Sequence, residues 1–310
     1  MCLIPEEGLV KIGGRDVYVE KITRNYYTLT FIKELLYRDK SKYQLIEVVD
    51  TEDYGKILYL DGKLQVAEAD EWIYHETLVH PAMLTHPEPK RVIIIGGGDG
   101  GALREVLKHP SVEEVELVEL DPKVVDVVTK YMPEIPSGAF EDDRVKICYC
   151  DGRQRLKNGD GKYDVIICDV TDPMDQSAAL YTREFYSVTS RRLAEKGILV
   201  TQAVSTFYYR NQFAMIYRAL QRVYRIIRPA YAFVPSFGDT WAFINASNVL
   251  DPANMDMEEV RRRFEERRLK TRFYTPEIHS LLLYTPKHLR SFLEKAGEES
   301  TDEHPAELKI

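Results

Sequence analysis

Asp169 and Asp172 stand three apart in the run DVTDP, residues 169–173, directly after an apolar segment that ends in Cys168. Two carboxylates at that spacing on a strand tip, partly buried and close together, are expected to raise each other's pKa. One becomes a usable base and the other an anchor for a cation. Such a base suits an amine nucleophile, whose pKa of about 10.4 requires loss of a proton before or during attack. Upstream, RVIIIGGGDGG, residues 91–101, packs five glycines and Asp99 behind four β-branched residues. Gly96, Gly98 and Gly101 satisfy the spacing of a loop that presents main-chain N–H groups and a helix N-terminus to a nucleoside-containing ligand. Asp99 is the anomaly, because a carboxylate inside that loop would repel a pyrophosphate.

The acids that follow sharpen the ligand. Glu119 lies about twenty residues past the loop, at the end of VEEVELVEL, where a carboxylate accepts both hydroxyls of a ribose. Asp151-Gly152, after KICYC, is placed to accept from an adenine amino group while the glycine admits close backbone approach. An adenosine without phosphates fits these residues, and S-adenosyl compounds meet that description. Asp99 would repel the carboxylate of S-adenosylmethionine and would pair with the ammonium of its decarboxylated form. The expected reaction is displacement at the sulfonium-activated aminopropyl carbon by an amine, with methylthioadenosine released. Tyr74 is a candidate to share the hydrogen bonding at the carboxylate pair. Two other readings use the same residues: a methyltransferase working with S-adenosylmethionine itself, and a non-catalytic subunit that sequesters polyamines. Any one of these strand-end acids also has a plain structural alternative as a helix N-cap or turn residue.

Placing such acids on one rim requires a sheet whose strands end together. Residues 8–66 alternate as strands (VYVEKI, YYTLTFI, YQLIEVVDT, GKILYLDGKLQV), and Leu60-Asp61-Gly62-Lys63 reads as a hairpin turn. Residues 70–86 suit a helix interrupted by Pro81 that carries Tyr74 and His75 inward. From Arg91 strand and helix alternate, with helical stretches at 124–131, 182–194 and 211–224 and with Gln202 inside ILVTQAV. AYAFVPSF and TWAFINAS, joined by Gly238-Asp239, read as an antiparallel pair closing the sheet. The fold class is therefore α/β: a doubly wound, seven-stranded, methyltransferase-like sheet preceded by a small antiparallel β domain. The expected bounds are 1–69 for the β domain, 70–296 for the Rossmann-like domain and 297–310 for a polar tail, read as disordered. Residues 256–269 read as an outer solvated helix or an oligomer contact.

Composition excludes several classes. A net charge of -8 argues against a general nucleic-acid binder and suits a cationic substrate. No apolar run reaches bilayer-spanning length, and MCLIPEEGLVK lacks a basic region followed by an apolar core, so neither membrane insertion nor secretion is signalled and a cytoplasmic location is expected. Cys2, Cys148, Cys150 and Cys168 contain no C-x-x-C pair and read as small hydrophobes, with neither a metal site nor a disulfide expected.

Taken together, Tyr43-Gln44, Leu60-Asp61-Gly62 with Gln65, Asp70-Glu71 with Tyr74-His75-Glu76, GGGDGG, Asp151-Gly152, Asp169-x-x-Asp172-Pro173, Gln202, and Tyr274 followed by Ile278-His279 resemble the spermidine synthase family of polyamine aminopropyltransferases over nearly the whole chain. The resemblance implies that Gln44, Glu119, Asp151 and Gly152 hold the nucleoside and that His75 and Asp99 meet the aminopropyl amine. It implies Asp169 as proton acceptor, with Tyr74, Asp172 and Gln202 lining the acceptor channel and Gln65 supporting it. It further implies no cofactor or metal beyond the decarboxylated cosubstrate, small-molecule polyamines as partners, and a homodimer or homotetramer. Two segments depart from the family's spermidine synthases. Met174-Asp175-Gln176-Ser177 replaces the usual Gly-Pro continuation, and Pro235-Ser236-Phe237-Gly238-Asp239-Thr240-Trp241 replaces Pro-Thr-Tyr-Pro, so Phe237 removes a hydroxyl from the amine site. The second segment, with Trp241, is similar to the thermospermine synthase branch. A longer cation needs further acids, and Asp175 and Asp239 are the candidates. The acceptor expectation shifts toward spermidine, with putrescine and agmatine open.

Overall fold

A computed structural model describes residues 7–309; Cys2 and the start of the N-terminal segment lie outside the described residues. The first sheet is an antiparallel meander of β1 (Gly8–Ile12), β2 (Arg15–Thr23), β3 (Tyr26–Lys40), β4 (Leu45–Thr51), β5 (Lys56–Leu60) and β6 (Lys63–Ala67) in sequential order. The turn between β5 and β6 has Asp61 at φ 45° and Gly62 at φ 80°, the doubly left-handed geometry that a two-residue hairpin requires. One face of this sheet, with Ile46, Val48, Leu58 and Val66, packs on Val124, Val127 and Val128 of α3 (Pro122–Tyr131). That packing brings the β3–β4 turn, and Gln44 with it, to the start of α3.

The second sheet contains β7 (Arg91–Gly96), β8 (Glu114–Glu119), β9 (Val145–Tyr149), β10 (Tyr163–Asp169), β11 (Leu193–Ser205), β12 (Ile226–Val234) and β13 (Asp239–Ser247). The order is β12-β13-β11-β10-β7-β8-β9. Strands β7 to β11 run parallel, and β13 pairs antiparallel with both β11 and β12. Ile93, Ile94, Ile166, Ile167, Leu199 and Val200 are fully buried, as strands covered on both faces by helices must be. From β7 the chain winds outward through β8 and β9, then returns to β10 on the other side of β7. The sheet therefore reverses its winding between β7 and β10, where a crevice opens beyond the strand ends.

Helix α1 (Glu71–Thr85) joins the two sheets. The expected break at Pro81 does not occur: the helix runs through, because burial over most of its circumference outweighs one lost backbone hydrogen bond. Its polar residues Glu71, His75, Glu76 and His80 all point inward. The charged helix is α7 (Met257–Glu266; α4 to α6 are Gly152–Asn158, Arg183–Arg192 and Arg210–Gln221), and it is more than a solvated surface. Arg263 donates to the carbonyls of Leu84 and Thr85, and Arg267, just beyond α7, donates to those of Met83, His86 and Pro87, satisfying the end of α1. Further helices are α2 (Gly101–Leu107), α8 (Pro276–Leu282) and α9 (Lys287–Lys295).

Two expectations are corrected. Cys148 and Cys150 form a disulfide on the edge strand β9 and its exit, where alternate residues share a face; Cys168 is a buried free thiol, as an apolar strand position predicts. The polar tail is packed rather than disordered: Ser300, Ala306 and Leu308 are buried, and its charged residues pair with Arg153 of α4, Arg183 of α5 and Arg222 just past α6. Its composition concealed this because only two apolar side chains are needed to seat it.

Candidate active site

The glycine loop sits at the switch point. In register, Gly96 lies opposite Asp169, and the Gly97 N–H donates to the Asp169 carbonyl at 2.7 Å. A Cβ at Gly96 would run into that carbonyl, and Gly96 also has φ 80°, so both space and conformation demand glycine. A Cβ at Gly98 would fall 2.8 Å from Glu119 Oε2, and one at Gly101 would enter the His75 ring. The loop thus wraps Glu119 on one side and His75 on the other.

On the β8 side of the loop, Glu119 Oε1 accepts from the Asp121 N–H at 2.9 Å. Burial pushes the Glu119 carboxyl up to about 7 against the pull of the Asp121 and Leu120 N–H groups. Asp121, which the sequence reading passed over, caps α3 through Lys123 N–H and holds the Gln44 amide at 3.0 Å and the Ser41 hydroxyl at 2.6 Å. Asp121-Pro122 ahead of an apolar helix was the available signal. Asp151 is exposed and spends one oxygen as the N-cap of α4, accepting from Gln154 N–H at 2.7 Å. Gly152 differs from expectation, since the close neighbour that excludes its Cβ is the Ile95 side chain of β7.

On the α1 side of the loop, His75 is buried between two acids, with Nδ1 2.7 Å from Glu71 and Nε2 3.4 Å from Asp99. Burial alone would lower its pKa; Asp99 and Glu71 outweigh that and hold it well above the ordinary imidazole value. Arg104 pairs with Glu71 at 2.8 Å, completing an alternation Arg104, Glu71, His75, Asp99. Asp99 also accepts from Gly101 N–H at 2.7 Å. Its burial is overcome by His75, the Gly101 N–H and Arg104, which keep its carboxyl below the usual range. His75 therefore offers no free ring nitrogen; it reaches the crevice only through Asp99. His75, Asp99 and Asp169 are the trio of potential metal ligands within 4.8 Å of one another among the described residues. An imidazolium kept protonated by two flanking carboxylates has no lone pair for a metal, so the trio suits an ammonium.

Asp169 ends β10 beside them. Tyr74 donates to its Oδ1 at 2.9 Å, while Oδ2 is buried with no hydrogen-bond partner. Burial, helped by Asp99, raises its carboxyl to about 6 despite His75 and Tyr74. Asp172 is likewise raised to about 6 by burial, against Gln202 and Lys63. The expectation that the two aspartates raise each other is corrected: the neighbouring charge acting on Asp169 is Asp99. Gln202 fans its amide to the Val170 carbonyl at 2.9 Å and to Asp172 at 3.3 Å, and its carbonyl accepts from the Trp241 indole at 3.1 Å. Phe237 lies 4.7 Å from the Trp241 ring and 5.9 Å from Tyr74, forming an aromatic wall. Gln65 lines a small pocket with Tyr74, His75 and Phe237.

Asp175 stays outside this cluster, exposed at the start of a 3-10 turn, and Asp239 binds the Ser205 hydroxyl. The acid that does neighbour Asp172 is Glu20 on β2, which the sequence reading missed. Burial raises Glu20 to about 7 against Lys63 and Leu64 N–H, and Asp172 adds to the rise. Its signal was a carboxylate within the buried run Val17-Tyr18-Val19-Glu20, where strand alternation fails.

Residues 71–256 match the spermine/spermidine synthase domain and residues 17–68 the spermidine synthase tetramerisation domain. The chain belongs to the spermidine synthase family. A polyamine aminopropyltransferase of Korarchaeum cryptofilum is 45% identical over 307 residues, covering 98% of this chain and 95% of the relative. One from Pyrobaculum calidifontis is 41% identical over 284 residues, covering 90% and 98%. Among solved structures, a spermidine synthase in complex with the transition-state analogue AdoDATO has a TM-score of 0.85 at 34% identity, covering 90% of this chain and 94% of that one. The spermidine synthase from Thermotoga maritima has a TM-score of 0.82 at 32% identity, with the same coverage. Spermidine synthases use decarboxylated S-adenosylmethionine as a substrate and need no cofactor. Membership thus favours aminopropyl transfer over methyl transfer or passive amine binding. No helix among the described residues is long and apolar enough to cross a membrane.

Proposed function

We propose that this chain moves the aminopropyl group of decarboxylated S-adenosylmethionine to a polyamine, spermidine in preference to putrescine or agmatine, giving thermospermine or spermine and methylthioadenosine. Glu119, Asp151 with Gly152, and Gln44 through Asp121 take the nucleoside. Asp99, kept ionised by His75, pairs with the ammonium of the aminopropyl arm. The acceptor nitrogen attacks the carbon bonded to sulfur, the C–S bond breaks with its electron pair going to sulfur, and the nitrogen's proton passes to Asp169.

The observation that carries this reading is the unpartnered Oδ2 of Asp169, buried beside Asp99 on a carboxyl raised to about 6. Two acids in one crevice with pKa values pushed in opposite directions divide the work: Asp99 is a fixed charge and Asp169 a proton acceptor. Tyr74, pushed well above its ordinary pKa by burial and Asp169, remains a donor that orients the base. The preference for a long acceptor is supported by the apolar wall of Phe237 and Trp241, which suits methylene groups, and by Glu20, an anchor for a cation beyond Asp172. Gln202 and Gln65 line the same channel, and Asp175 lies at its outer loop. The subunit is proposed to work as a homodimer or homotetramer in the cytoplasm.

The test is an acceptor panel of putrescine, agmatine, cadaverine, norspermidine and spermidine, with products separated by chromatography. Higher kcat/KM for spermidine is expected. Preference for a diamine would overturn the acceptor assignment, and no methylthioadenosine with any amine would overturn the activity.

A further inference from the structure

The segment from Val170 to Tyr181 carries Asp172 and leaves β10 over the mouth of the crevice. It is mostly irregular, with a 3-10 turn at Asp175–Tyr181. Its internal ties centre on one turn: the Ser177 hydroxyl and the Met174 N–H donate to the Asp172 carbonyl, the Ser177 N–H donates to the Met174 carbonyl at 3.0 Å, and the Tyr181 hydroxyl donates to the Thr171 carbonyl at 2.8 Å, while Gln202 of β11 holds the Val170 carbonyl and Asp172. A loop so made pays for its order in conformational entropy and depends on partners from elsewhere.

Beyond Gln202, the tail supplies such partners. Leu308 N–H donates to the Pro173 carbonyl at 2.8 Å, one residue from Asp172. Asp302 accepts from both terminal nitrogens of the Arg153 guanidinium at 2.8 and 2.6 Å and from Thr182 Oγ1 at 2.7 Å. Arg153 in turn donates to the Ala179 carbonyl at 3.2 Å. Ser300, fully buried, accepts from Arg183 N–H and donates to the Met215 carbonyl, fixing the tail between α5 and α6. Buried Ala306 and Leu308 seat its far end. The tail therefore grips the Asp172 segment at both ends, at Pro173 directly and at Ala179–Thr182 through Arg153 and Asp302.

We propose that residues 298–309 are a positioning strap for the acceptor site, with Asp302 and Leu308 acting on the substrate through Asp172. The inference rests on the acceptor-site role given to Asp172 above. Loss of the strap lets the segment sample positions in which Asp172 no longer faces the amine, while the nucleoside residues keep ties that do not involve the tail: Glu119 to the Asp121 N–H, Gln44 to the Asp121 carboxylate, and Asp151 to the Gln154 N–H as the N-cap of α4, although Arg153 follows Gly152 directly.

The test uses the full chain with Asp302→Ala, Asp302→Glu and Leu308→Pro, the last removing the N–H that meets Pro173. Asp302→Ala should raise the acceptor KM roughly fivefold to tenfold, the worth of a charge-assisted bidentate pair at a partly exposed site. KM for decarboxylated S-adenosylmethionine should stay within about twofold, and Asp302→Glu should recover the wild-type value. Hydrogen exchange of residues 170–181 should quicken in Asp302→Ala and Leu308→Pro. Unchanged exchange overturns the strap, as do equal rises in both KM values or faster exchange with an unchanged acceptor KM. Asp172→Asn, measured alongside, separates the two claims: if it leaves the acceptor KM unmoved, the role of Asp172 fails while exchange still reports on the strap.

Discussion

Asp169 and Asp99 are both buried carboxylates, yet one is pushed up and the other held down, and their mutational signatures should differ accordingly. Asp169→Asn removes the acceptor of the proton while keeping size and the Tyr74 contact, so kcat should fall roughly 10²- to 10⁴-fold. Calorimetric affinity for methylthioadenosine should stay near wild type; a mutant of normal rate would remove Asp169 from the base role. Asp99→Asn should weaken decarboxylated S-adenosylmethionine roughly tenfold or more, but methylthioadenosine much less, since that product lacks the ammonium. Equal losses would mark Asp99 as structural. The pH dependence has a definite sign. Asp169 and Asp172 are raised to about 6 and Glu119 and Glu20 to about 7, so each is protonated below and ionised above its own value. Acceptor kcat/KM should therefore decline as pH drops through about 6. A bound polycation favours the ionised forms, so amine binding near neutrality should release protons. Titrations in two buffers of unequal ionisation enthalpy would show this, and proton uptake instead would contradict the shifts.

At the scale of elements, the glycine loop functions by what it leaves empty. Gly101→Ala should push against the buried His75 ring and cost about 1–3 kcal/mol, read as a lowered Tm. It should also disturb the His75–Asp99 pair. Gly297→Ala, whose Cβ would meet nothing within 4 Å, is the control that should leave Tm unchanged. An unchanged Tm in Gly101→Ala would mean that His75 yields freely. The contrast also shows what the sequence could convey. Strand ends at Glu119 and Asp169, the Asp61-Gly62 turn and the closing pair were legible because each depends on local periodicity or turn chemistry. The dual engagement of His75, the grip of Asp121 on Gln44 and the intrusion of Glu20 from the other sheet were not, because each joins residues far apart in the chain. Pro81 inside α1 and the seated tail belong to the same class, since tertiary burial overrode local preference in both.

At the scale of the whole molecule, the N-terminal sheet has two tasks. One face is closed by α3, whose N-cap Asp121 holds Gln44, and Glu20 projects from the other face, that of Tyr18 and Tyr59, toward Asp172. Elsewhere on it Leu29 and Phe31 remain 53% and 44% exposed, with Tyr26 and Ile12 also open. Leu29 and Phe31 are two apart on β3, so they share a side of the strand, and Arg15 stacks over the Phe31 ring at 4.0 Å. An apolar patch of this kind on a sheet with a free edge is the form of surface that a second subunit covers. It lies within the stretch that matches the tetramerisation domain. Leu29→Glu with Phe31→Glu places two carboxylates where the partner's apolar side chains would dock, and repulsion across a symmetric interface doubles the penalty. The double variant should run as a smaller species than wild type in size-exclusion chromatography with light scattering. Because neither side chain enters the crevice, methylthioadenosine should still bind the smaller species. An unchanged assembly state would move the interface off this patch, and lost nucleoside binding would show that the site needs the neighbouring subunit to hold the β sheet against α3.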